Sequence, residues 1–376
     1  MRKKNSSPVK ISKEELIYDT LRGMCMRLGP NSQLPTVSQL CETIGASRST
    51  LDRVLRRLEE DHILVCRHGS GIYVSPQLTR KTVGLVFGHN IYGQNHSPFW
   101  HMMLDAARQL AEKRQHELRV YFDCPSSTEE SPRSYHISKD AGAGRLDGFL
   151  ALCPATQREW MMQWNRPVVA LTDKGPRTGT VIVDPALQIH LAVKALREAG
   201  CKRVAFVSVA PSPEDPQGVS DVRTQMFRRE VQAQNLVLSE ELVWLLPWWK
   251  PEYRGHTFEE FGFDAAKERF PAYRKGTRPQ ADGIIVSDDM MARGVIAWLH
   301  KAGWPVGDAV HLAAFTNAGS PALKFFHDEI FRVESDPLLI MEAMFDLLEG
   351  SMAGRNAGQD FVMVKPELIR PVAGGR

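Results

Sequence analysis

Residues 34–74 read LPTVSQLCETIGASRSTLDRVLRRLEEDHILVCRHGSGIYV, and their spacing decides the fold of the N-terminal part. Apolar residues recur at i, i+3, i+4 and i+7 over 37–44 and again over 51–58, which predicts two amphipathic helices. Thr36 and Ser47 precede these helices, at positions where hydroxyl side chains favour helix N-caps. Only three residues separate the two helices, a spacing that is typical of a helix-turn-helix.

Two short apolar runs follow, over 63–66 and 72–74, and a glycine-rich turn joins them. This pattern predicts a β-hairpin. Upstream, residues 17–28 give a first amphipathic helix at the same spacing, which ends before a Gly-Pro pair. Three helices followed by a hairpin form a winged helix-turn-helix, so we expect this part of the chain to bind double-stranded operator DNA.

The outer face of the second motif helix carries candidate DNA contacts. Arg48, Ser49 and Arg53 lie away from its apolar face. Guanidinium groups pair with guanine edges or phosphates, and a helix N-terminus favours phosphate. Thr36, at the start of the preceding helix, and Ser70, in the hairpin turn, are further candidates.

Charge is distributed unevenly along the chain. The first 80 residues contain 13 Lys and Arg but 8 Asp and Glu, a net +5, whereas all 376 residues carry +3. A basic N-terminal part on a mildly acidic remainder is typical of a domain that neutralises phosphates.

Residues 11–75 resemble the GntR family of bacterial regulators in the segments LPTVSQL, IGASRSTLDRVLRRLEEDHIL and HGSGIYV. The resemblance implies base or phosphate contacts from Arg48 and Thr50. It also implies that the hairpin, as a wing, enters the minor groove at His68 and Gly69.

Two positions depart from the family pattern. The family usually has an acidic residue and an arginine where this chain has Val37 and Ser38, and often an arginine where it has Asp52, beside Arg53. The resemblance therefore implies an operator that differs from the family's commonest one.

From Thr82 onward, continuous apolar runs alternate with helical patterns, which predicts an α/β fold with parallel sheets covered on both faces. We expect a DNA-binding domain over 1–75, a linker over 76–81 and a second domain over 82–376. Expected strands lie at 83–87, 118–122, 148–153, 168–171, 204–209, 283–286 and 312–315, and expected helices at 99–114, 189–199, 223–234 and 290–301.

Several segments of this second domain resemble LacI-type repressors and periplasmic sugar-binding proteins. They include VGLVFG at 83–88, VSDVRTQMFRREVQAQNL at 219–236, ADGIIVSDDMMARG at 281–294 and PELIR at 366–370. The resemblance implies two Rossmann-like lobes, joined by three crossovers, with a ligand in the cleft between them. Open α/β sheets bind ligands at the carboxyl ends of their strands.

Candidate ligand contacts follow from these positions. Asp289 comes just after an apolar strand, Arg223 opens a helix, and the resemblance implies that both contact the ligand. The alternative is that Asp288 or Asp289 only caps its helix and that each aromatic side chain belongs to the core. Further candidates, for stacking on a sugar or for hydrogen bonding, are Phe99, Trp100, Trp249 and Asn317.

The leading interpretation is a homodimeric transcription regulator, a repressor whose operator binding is modulated by a sugar. Bacterial regulators of arabinose share this plan of a GntR-type head on a LacI-type sensor. One alternative is an enzyme, a GntR-type head fused to a pyridoxal-phosphate aminotransferase-like domain. Another is a periplasmic transport protein, which the absent secretory signal and the DNA-binding head disfavour.

The sequence contains no common nucleophile, metal or nucleotide-binding motif, so we expect no catalytic residues, no metal and no cofactor. Six scattered cysteines without a CxxC pair favour a reducing cytoplasm. No apolar run is long enough to span a membrane. The identity of the effector and of the operator does not follow from these patterns.

Overall fold

The computed structural model describes residues 13–67, 69–76, 81–88, 91, 97–122, 135–152, 160–172, 177–253, 255–354 and 361–371. The predicted DNA contact at His68 and most of the predicted linker therefore lie outside the described residues. The remaining chain forms an N-terminal head and two α/β lobes.

The head is a three-helix domain with a two-stranded wing. Its elements are α1 (Lys13–Leu28), α2 (Val37–Ile44), α3 (Arg48–Glu60), β1 (Leu64–Arg67) and β2 (Gly71–Val74). The apolar faces of the helices are buried together with Val74 of β2. Strands β1 and β2 pair antiparallel, which confirms the winged helix-turn-helix.

The first lobe, called the N-lobe, consists of β3 (Thr82–Phe87), α4 (Phe99–Lys113), β4 (Glu117–Tyr121), α5 (Tyr135–Gly142), β5 (Gly148–Leu152), β6 (Val168–Leu171), β7 (Thr180–Val183), α10 (Pro337–Met352) and β13 (Phe361–Val364). It is built on a six-stranded sheet in the order β13-β7-β6-β5-β3-β4, and every pairing in it is parallel. Helices α4 and α10 pack together on one face of this sheet and bury its apolar strands.

The second lobe, called the C-lobe, consists of α6 (Pro185–Glu198), β8 (Val204–Val209), α7 (Val222–Ala233), β9 (Val243–Leu246), α8 (Phe258–Arg269), β10 (Gly283–Val286), α9 (Asp289–Lys301), β11 (His311–Asn317), β12 (Phe331–Ser335) and β14 (Glu367–Ile369). It repeats the plan of the N-lobe with the strand order β14-β12-β11-β10-β8-β9, and among the described pairings only β12–β14 is antiparallel. Its core lies on both faces of the sheet.

The described chain passes between the lobes three times, as the resemblance to LacI-type proteins implies. It leaves β7 for α6 at Asp184, leaves β12 for α10 at Asp336, and connects β13 to β14. At the first two passages an aspartate caps the helix that follows, and a proline occupies its first turn. The first and third crossovers lie side by side, with Asp184 N donating to Val364 O at 2.9 Å, so they are suited to act as one hinge.

Two glycines allow α8 and α9 of the C-lobe to touch backbone to backbone. A Cβ atom added at Gly262 would lie 1.9 Å from Met291 O, and one added at Gly294 would lie 1.9 Å from Glu259 O. Helix α8 had no counterpart among the expected helices, because its apolar residues mix with charged ones without a clean period.

Candidate DNA-reading head and ligand cleft

The N-terminal end of α3 is exposed and carries the candidate DNA contacts. Arg48 and Ser49 are exposed on its first turn, and Arg53 is exposed one turn later. Arg53 Nη2 lies 3.8 Å from Glu14 Oε2, a surface pair that contributes little and that a phosphate can replace. These side chains are therefore available to a groove of duplex DNA.

Hydroxyl groups fix the start of both motif helices. Thr36 caps α2 in a full capping box, in which it accepts a hydrogen bond from Gln39 N, and Gln39 Oε1 accepts one from Thr36 N. Ser47 caps α3 and accepts a hydrogen bond from Thr50 N at 3.3 Å. The Thr50 hydroxyl also bonds to Ser47 Oγ at 2.8 Å, so its first role is to hold the helix start.

The wing turn requires left-handed backbone. Gly69 has φ +70° and Gly71 has φ +121°, conformations that side chains disfavour. A Cβ atom at Gly69 would meet open space, whereas one at Gly71 would lie 2.8 Å from Gln33 Nε2. Gln33 Nε2 also donates to Ser70 O at 3.1 Å, so the wing is attached to the segment before α2.

Two basic residues near these contacts have roles that the sequence analysis missed. The Arg67 guanidinium lies over the Tyr73 ring at 4.6 Å and is exposed on the wing, where it adds positive charge. Arg57, also on α3, turns the other way and pairs with Glu15 at 3.1 Å. The sequence could not distinguish the exposed Arg67 from the paired Arg57, because both carry the same charge and only the fold determines which residues each side chain contacts.

In the cleft, two adjacent carboxylates at the carboxyl end of β10 have different partners. Asp288 caps α9 and accepts a hydrogen bond from Met291 N at 3.0 Å. Asp289 is only 2% exposed, and its Oδ2 accepts hydrogen bonds from Thr316 Oγ1 at 3.2 Å and Ser320 Oγ at 2.7 Å. Since Asp288 supplies the cap, Asp289 is not required for it.

Two buried polar atoms in this region lack a partner among the described residues. They are Oδ1 of Asp289 and Nε of Arg223, which lies in the first turn of α7. Burial and the adjacent charge of Asp289 raise the pKa of Asp288 to about 7, while hydrogen bonds from the α9 N-terminus and the Arg223 charge oppose the rise. Within the described chain, the C-lobe thus presents an acceptor and a donor without protein partners.

Hydroxyl side chains surround the same strand ends. Ser287 Oγ, after β10, donates to Ser208 Oγ in β8 at 2.9 Å. Together with Thr316 and Ser320 they form a polar rim that the sequence analysis missed, although their positions at strand ends were a usable signal. Asn317 ends β11, and its backbone oxygen accepts from Ser320 N at 2.9 Å.

Aromatic side chains of the N-lobe lie at the start of α4. Phe99 and Trp100 are half-buried, with ring centroids 5.0 Å apart, and Trp100 also meets Phe87 edge-on at 6.4 Å. A Cβ atom at Gly319 of the C-lobe would lie 3.7 Å from Met102 Cε in α4. The aromatic start of α4 therefore lies near the loop after β11, on the other side of the cleft.

Trp249 lies further along the C-lobe rim, after β9. It is half-buried, with its ring centroid 5.8 Å from that of Trp248. Trp248 is the more exposed of the two at 51%, and its Nε1 donates to Ala210 O at 3.1 Å. Either indole could offer an apolar face to a ligand.

Within the described ranges, no group of three or more His, Cys, Asp or Glu side chains could hold a metal ion. No helix of the described chain is long and apolar enough to cross a membrane.

Comparisons with known proteins agree with this architecture. The protein-family model described as "Bacterial regulatory proteins, gntR family" matches residues 13–74. The protein-family model described as "Periplasmic binding protein-like domain" matches residues 193–370. The uncharacterized HTH-type transcriptional regulator YurK of Bacillus subtilis (strain 168) is 28% identical over 118 residues. That match spans 30% of this chain and 48% of the relative's length.

Solved structures share the fold of the two lobes. A regulatory protein of the LacI family from Chloroflexus aggregans superposes with a TM-score of 0.60 at 19% identity, covering 78% of this chain and 98% of that one. The transcriptional regulator CelR in complex with cellobiose gives a TM-score of 0.59 at 17% identity, covering 91% and 100% of the two chains.

Fold and site together define the class, a winged helix-turn-helix head joined to a two-lobed domain of the periplasmic-binding-protein type. Within that class, the head is similar to the gntR family of bacterial regulatory proteins, and the two lobes share the fold of LacI-family regulators.

Proposed function

We propose that this chain is a transcription regulator that binds operator DNA as a homodimer and responds to a sugar in the cleft of its sensor. The observation that carries the proposal is that two of the buried polar atoms without a partner in the described chain, Arg223 Nε and Asp289 Oδ1, lie at the carboxyl edge of the C-lobe sheet. This edge is where open α/β sheets bind ligands.

The chemistry of these two atoms favours a ligand rich in hydroxyl groups. A buried polar atom without a partner costs about 1–3 kcal/mol, and a ligand that pairs with it recovers that free energy. One hydroxyl can accept from Arg223 Nε while the same or a neighbouring hydroxyl donates to Asp289 Oδ1. Phe99 and Trp100, on the facing lobe, offer apolar surface to a sugar ring. The cellobiose complex of the similar regulator CelR supports this ligand class.

The head supports operator binding in major and minor grooves. Arg48, Ser49 and Arg53 would contact the major groove from α3, with Thr36 and Thr50 beside them. Gly69 and Ser70 would place the wing, together with His68, at the adjacent minor groove. Each head offers few base contacts, so two heads on a palindromic site gain affinity through their high effective concentration.

The three crossovers suggest how ligand and DNA are coupled. A ligand that binds both lobes favours the closed arrangement and rotates the N-lobes, which carry the heads. The heads then no longer match the spacing of the two half-sites. The ligand can change operator affinity only by its differential affinity for the two arrangements, commonly about 1–3 kcal/mol.

A two-stage experiment tests the proposal. A thermal-shift screen of monosaccharides and disaccharides identifies the ligand, because a ligand at 100 times its dissociation constant adds about 2.7 kcal/mol of stability. In vitro selection from random duplexes then identifies the operator, and mobility shifts measure its affinity with and without the sugar. Selection of no preferred duplex, or no sugar that raises the melting temperature, would contradict the corresponding half of the proposal.

A further inference from the structure

The head and the N-lobe meet through charged side chains whose signs alternate. On the head, the Glu15 carboxylate of α1 accepts hydrogen bonds from both Nη atoms of Arg57, at 3.1 and 3.2 Å. On the N-lobe, Arg145, which follows α5, donates from Nη2 to the same carboxylate at 3.1 Å. Glu15 is thus shared by one arginine of the head and one of the lobe.

A second contact closes the arrangement into a network. Arg119 of β4 lies 3.7 Å from Asp61, the residue that caps the C-terminus of α3. Within the lobe, Asp140 joins the two arginines, with Arg119 at 3.5 Å and Arg145 at 3.1 Å, and it accepts a hydrogen bond from Tyr121 at 2.8 Å. Each carboxylate in the network therefore faces at least one arginine across or beside the boundary.

Tyr18 of α1 lies at the centre of this contact. Its ring is 1% exposed and lies 4.4 Å from the Arg57 guanidinium and 5.2 Å from the Arg145 guanidinium. Its hydroxyl donates to Asp61. Arginine over an aromatic ring is favourable, and more so where the charges are partly desolvated, as for the Arg145 side chain with 10% exposure.

Isolated surface ion pairs contribute little, but this contact differs from them. The side chains of Arg57, Arg145, Glu15 and Asp140 are each exposed by a quarter or less, and each has more than one partner. Networks of this kind can contribute where single pairs do not, and they specify one geometry. A flexible tether between two independent domains would not require such a contact.

The contact leaves the reading end of α3 uncovered. Two residues of the contact, Arg57 and Asp61, lie at the C-terminal end of α3. Arg48 lies at the other end of the helix, about 20 Å from Asp61 along the helix axis. Docking on the N-lobe is therefore compatible with the exposure of Arg48 and Ser49 to DNA.

We infer that the DNA-binding head docks on the sensor's own N-lobe through this alternating network, called here the head–lobe network (Glu15, Tyr18, Arg57, Asp61, Arg119, Asp140 and Arg145). The docked head and the N-lobe move as one body, and the lobe sets the direction in which α3 is presented. The docking itself is independent of the proposed function; only its consequence, the transmission of lobe movement to operator spacing, rests on it.

Small-angle scattering of the full chain tests the docking in the absence of DNA and ligand. Arg145→Glu places a negative charge opposite Glu15 and Asp140, and we expect the fitted ratio of undocked to docked molecules to rise tenfold or more, equivalent to about 1.4 kcal/mol. The maximum dimension should increase as well. Arg278→Glu, at an exposed arginine of the C-lobe, makes the same change of charge and should leave the scattering profile unchanged.

Asp61→Asn tests the same contact from the head side with little change in shape. It keeps a hydrogen-bond acceptor for Tyr18 but removes the charge that faces Arg119. If circular dichroism shows that Arg145→Glu fails to fold, Asp61→Asn alone tests the docking. Wild-type scattering from both folded variants would overturn the inference and leave the proposed function standing. Failure of the wild-type chain to select any duplex would overturn the proposed function, whatever the scattering shows.

Discussion

The head and the sensor place their candidate functional residues in opposite ways. In the head, Arg48, Ser49 and Arg53 are exposed and lie within six positions of each other on one helix. In the sensor, Arg223 and Asp289 are buried or half-buried, and they come from helices that begin 67 positions apart. The head presents its contacts to a large partner from outside, whereas the sensor is suited to surround a small one.

This difference predicts different responses to substitution. An exposed contact can be removed with little effect on folding, because its side chain is solvated in the isolated protein. A buried contact is coupled to packing, so the same kind of change can alter both binding and stability. Substitutions in the two regions test this contrast.

The largest effect is expected from a single methyl group in the C-lobe. Gly294→Ala would place Cβ 1.9 Å from the Glu259 carbonyl oxygen, so α8 and α9 must separate and their packing is lost. Overpacking costs about 1–3 kcal/mol and occasionally more, and we expect a cost at or above the upper end of that range, because Cβ would meet backbone rather than a flexible side chain. We expect a clearly lowered melting temperature of the sensor by calorimetry.

The matched control for that substitution is a helical glycine of the head. Gly23→Ala in α1 meets only the end of the Arg27 side chain, at 3.7 Å. It should stabilise the helix by about 0.5–1 kcal/mol. A Gly294→Ala protein as stable as the wild type would show that the two helices can separate without loss, contrary to the close packing described.

Asp289→Ala is expected to uncouple the sensor from its ligand. Hydrogen bonds to a charged group contribute about 1.5–3 kcal/mol, so effector affinity should fall by about tenfold to a hundredfold. Calorimetric titration with the sugar found by screening measures this directly. Asp308→Ala, which removes an exposed carboxylate of the same lobe, serves as the control.

The head should be unaffected by the same change. Operator binding by Asp289→Ala without sugar should equal that of the wild type, because the head has its own core. Loss of operator binding together with sugar binding would instead assign Asp289 a role in holding the fold. Unchanged sugar affinity would remove it from the ligand site.

Arg48→Ala tests the exposed contact in the head. If Arg48 reads a base edge, operator affinity should fall by about 1–3 kcal/mol, with no change in melting temperature. Mobility-shift titration at fixed salt gives the affinity, and Arg197→Ala, an exposed arginine of the sensor, controls for overall charge. An operator affinity equal to that of the control would exclude Arg48 from the contacts.

The sequence predicted the head almost completely, because its signals are local. Each signal connects residues that are no more than one or two helical turns apart. These signals are the N-caps at Thr36 and Ser47 and the apolar period of α3. In the sensor the apolar strands β6, β8 and β10 were predicted with their observed bounds, whereas β9 and β12 were not among the expected strands. Strand β12 alternates buried and half-buried residues, so it lacks a continuous apolar run.

The candidate sites divide in the same way. Asp289 could be singled out from its place after a strand, but its partners Thr316 and Ser320 come from another segment, and only the fold brings them together. The head–lobe network was beyond sequence reasoning for the same reason. Glu15 and Arg145 are 130 positions apart, and each looks like an ordinary surface charge.

The smallest expected effect concerns Asp288, the carboxylate that caps α9 beside the ligand site. Its pKa is raised from 3.8 to about 7, mainly by burial and by the charge of Asp289. Between these two pH values the folded protein keeps a proton that the unfolded chain has lost. Stability therefore falls as pH rises through this window and is constant above it.

Asp288→Asn should remove this part of the pH dependence, since asparagine is an equally good N-cap but does not ionise. At pH 8 the variant should be the more stable protein, and at pH 4 the two should be equal. Asp288 is half-buried, so we expect about 1 kcal/mol, or a shift of about 2–4 °C in melting temperature. Parallel stability curves for the two proteins across pH 4–8 would mean that Asp288 ionises normally, and the cleft would then be more hydrated than its packing indicates.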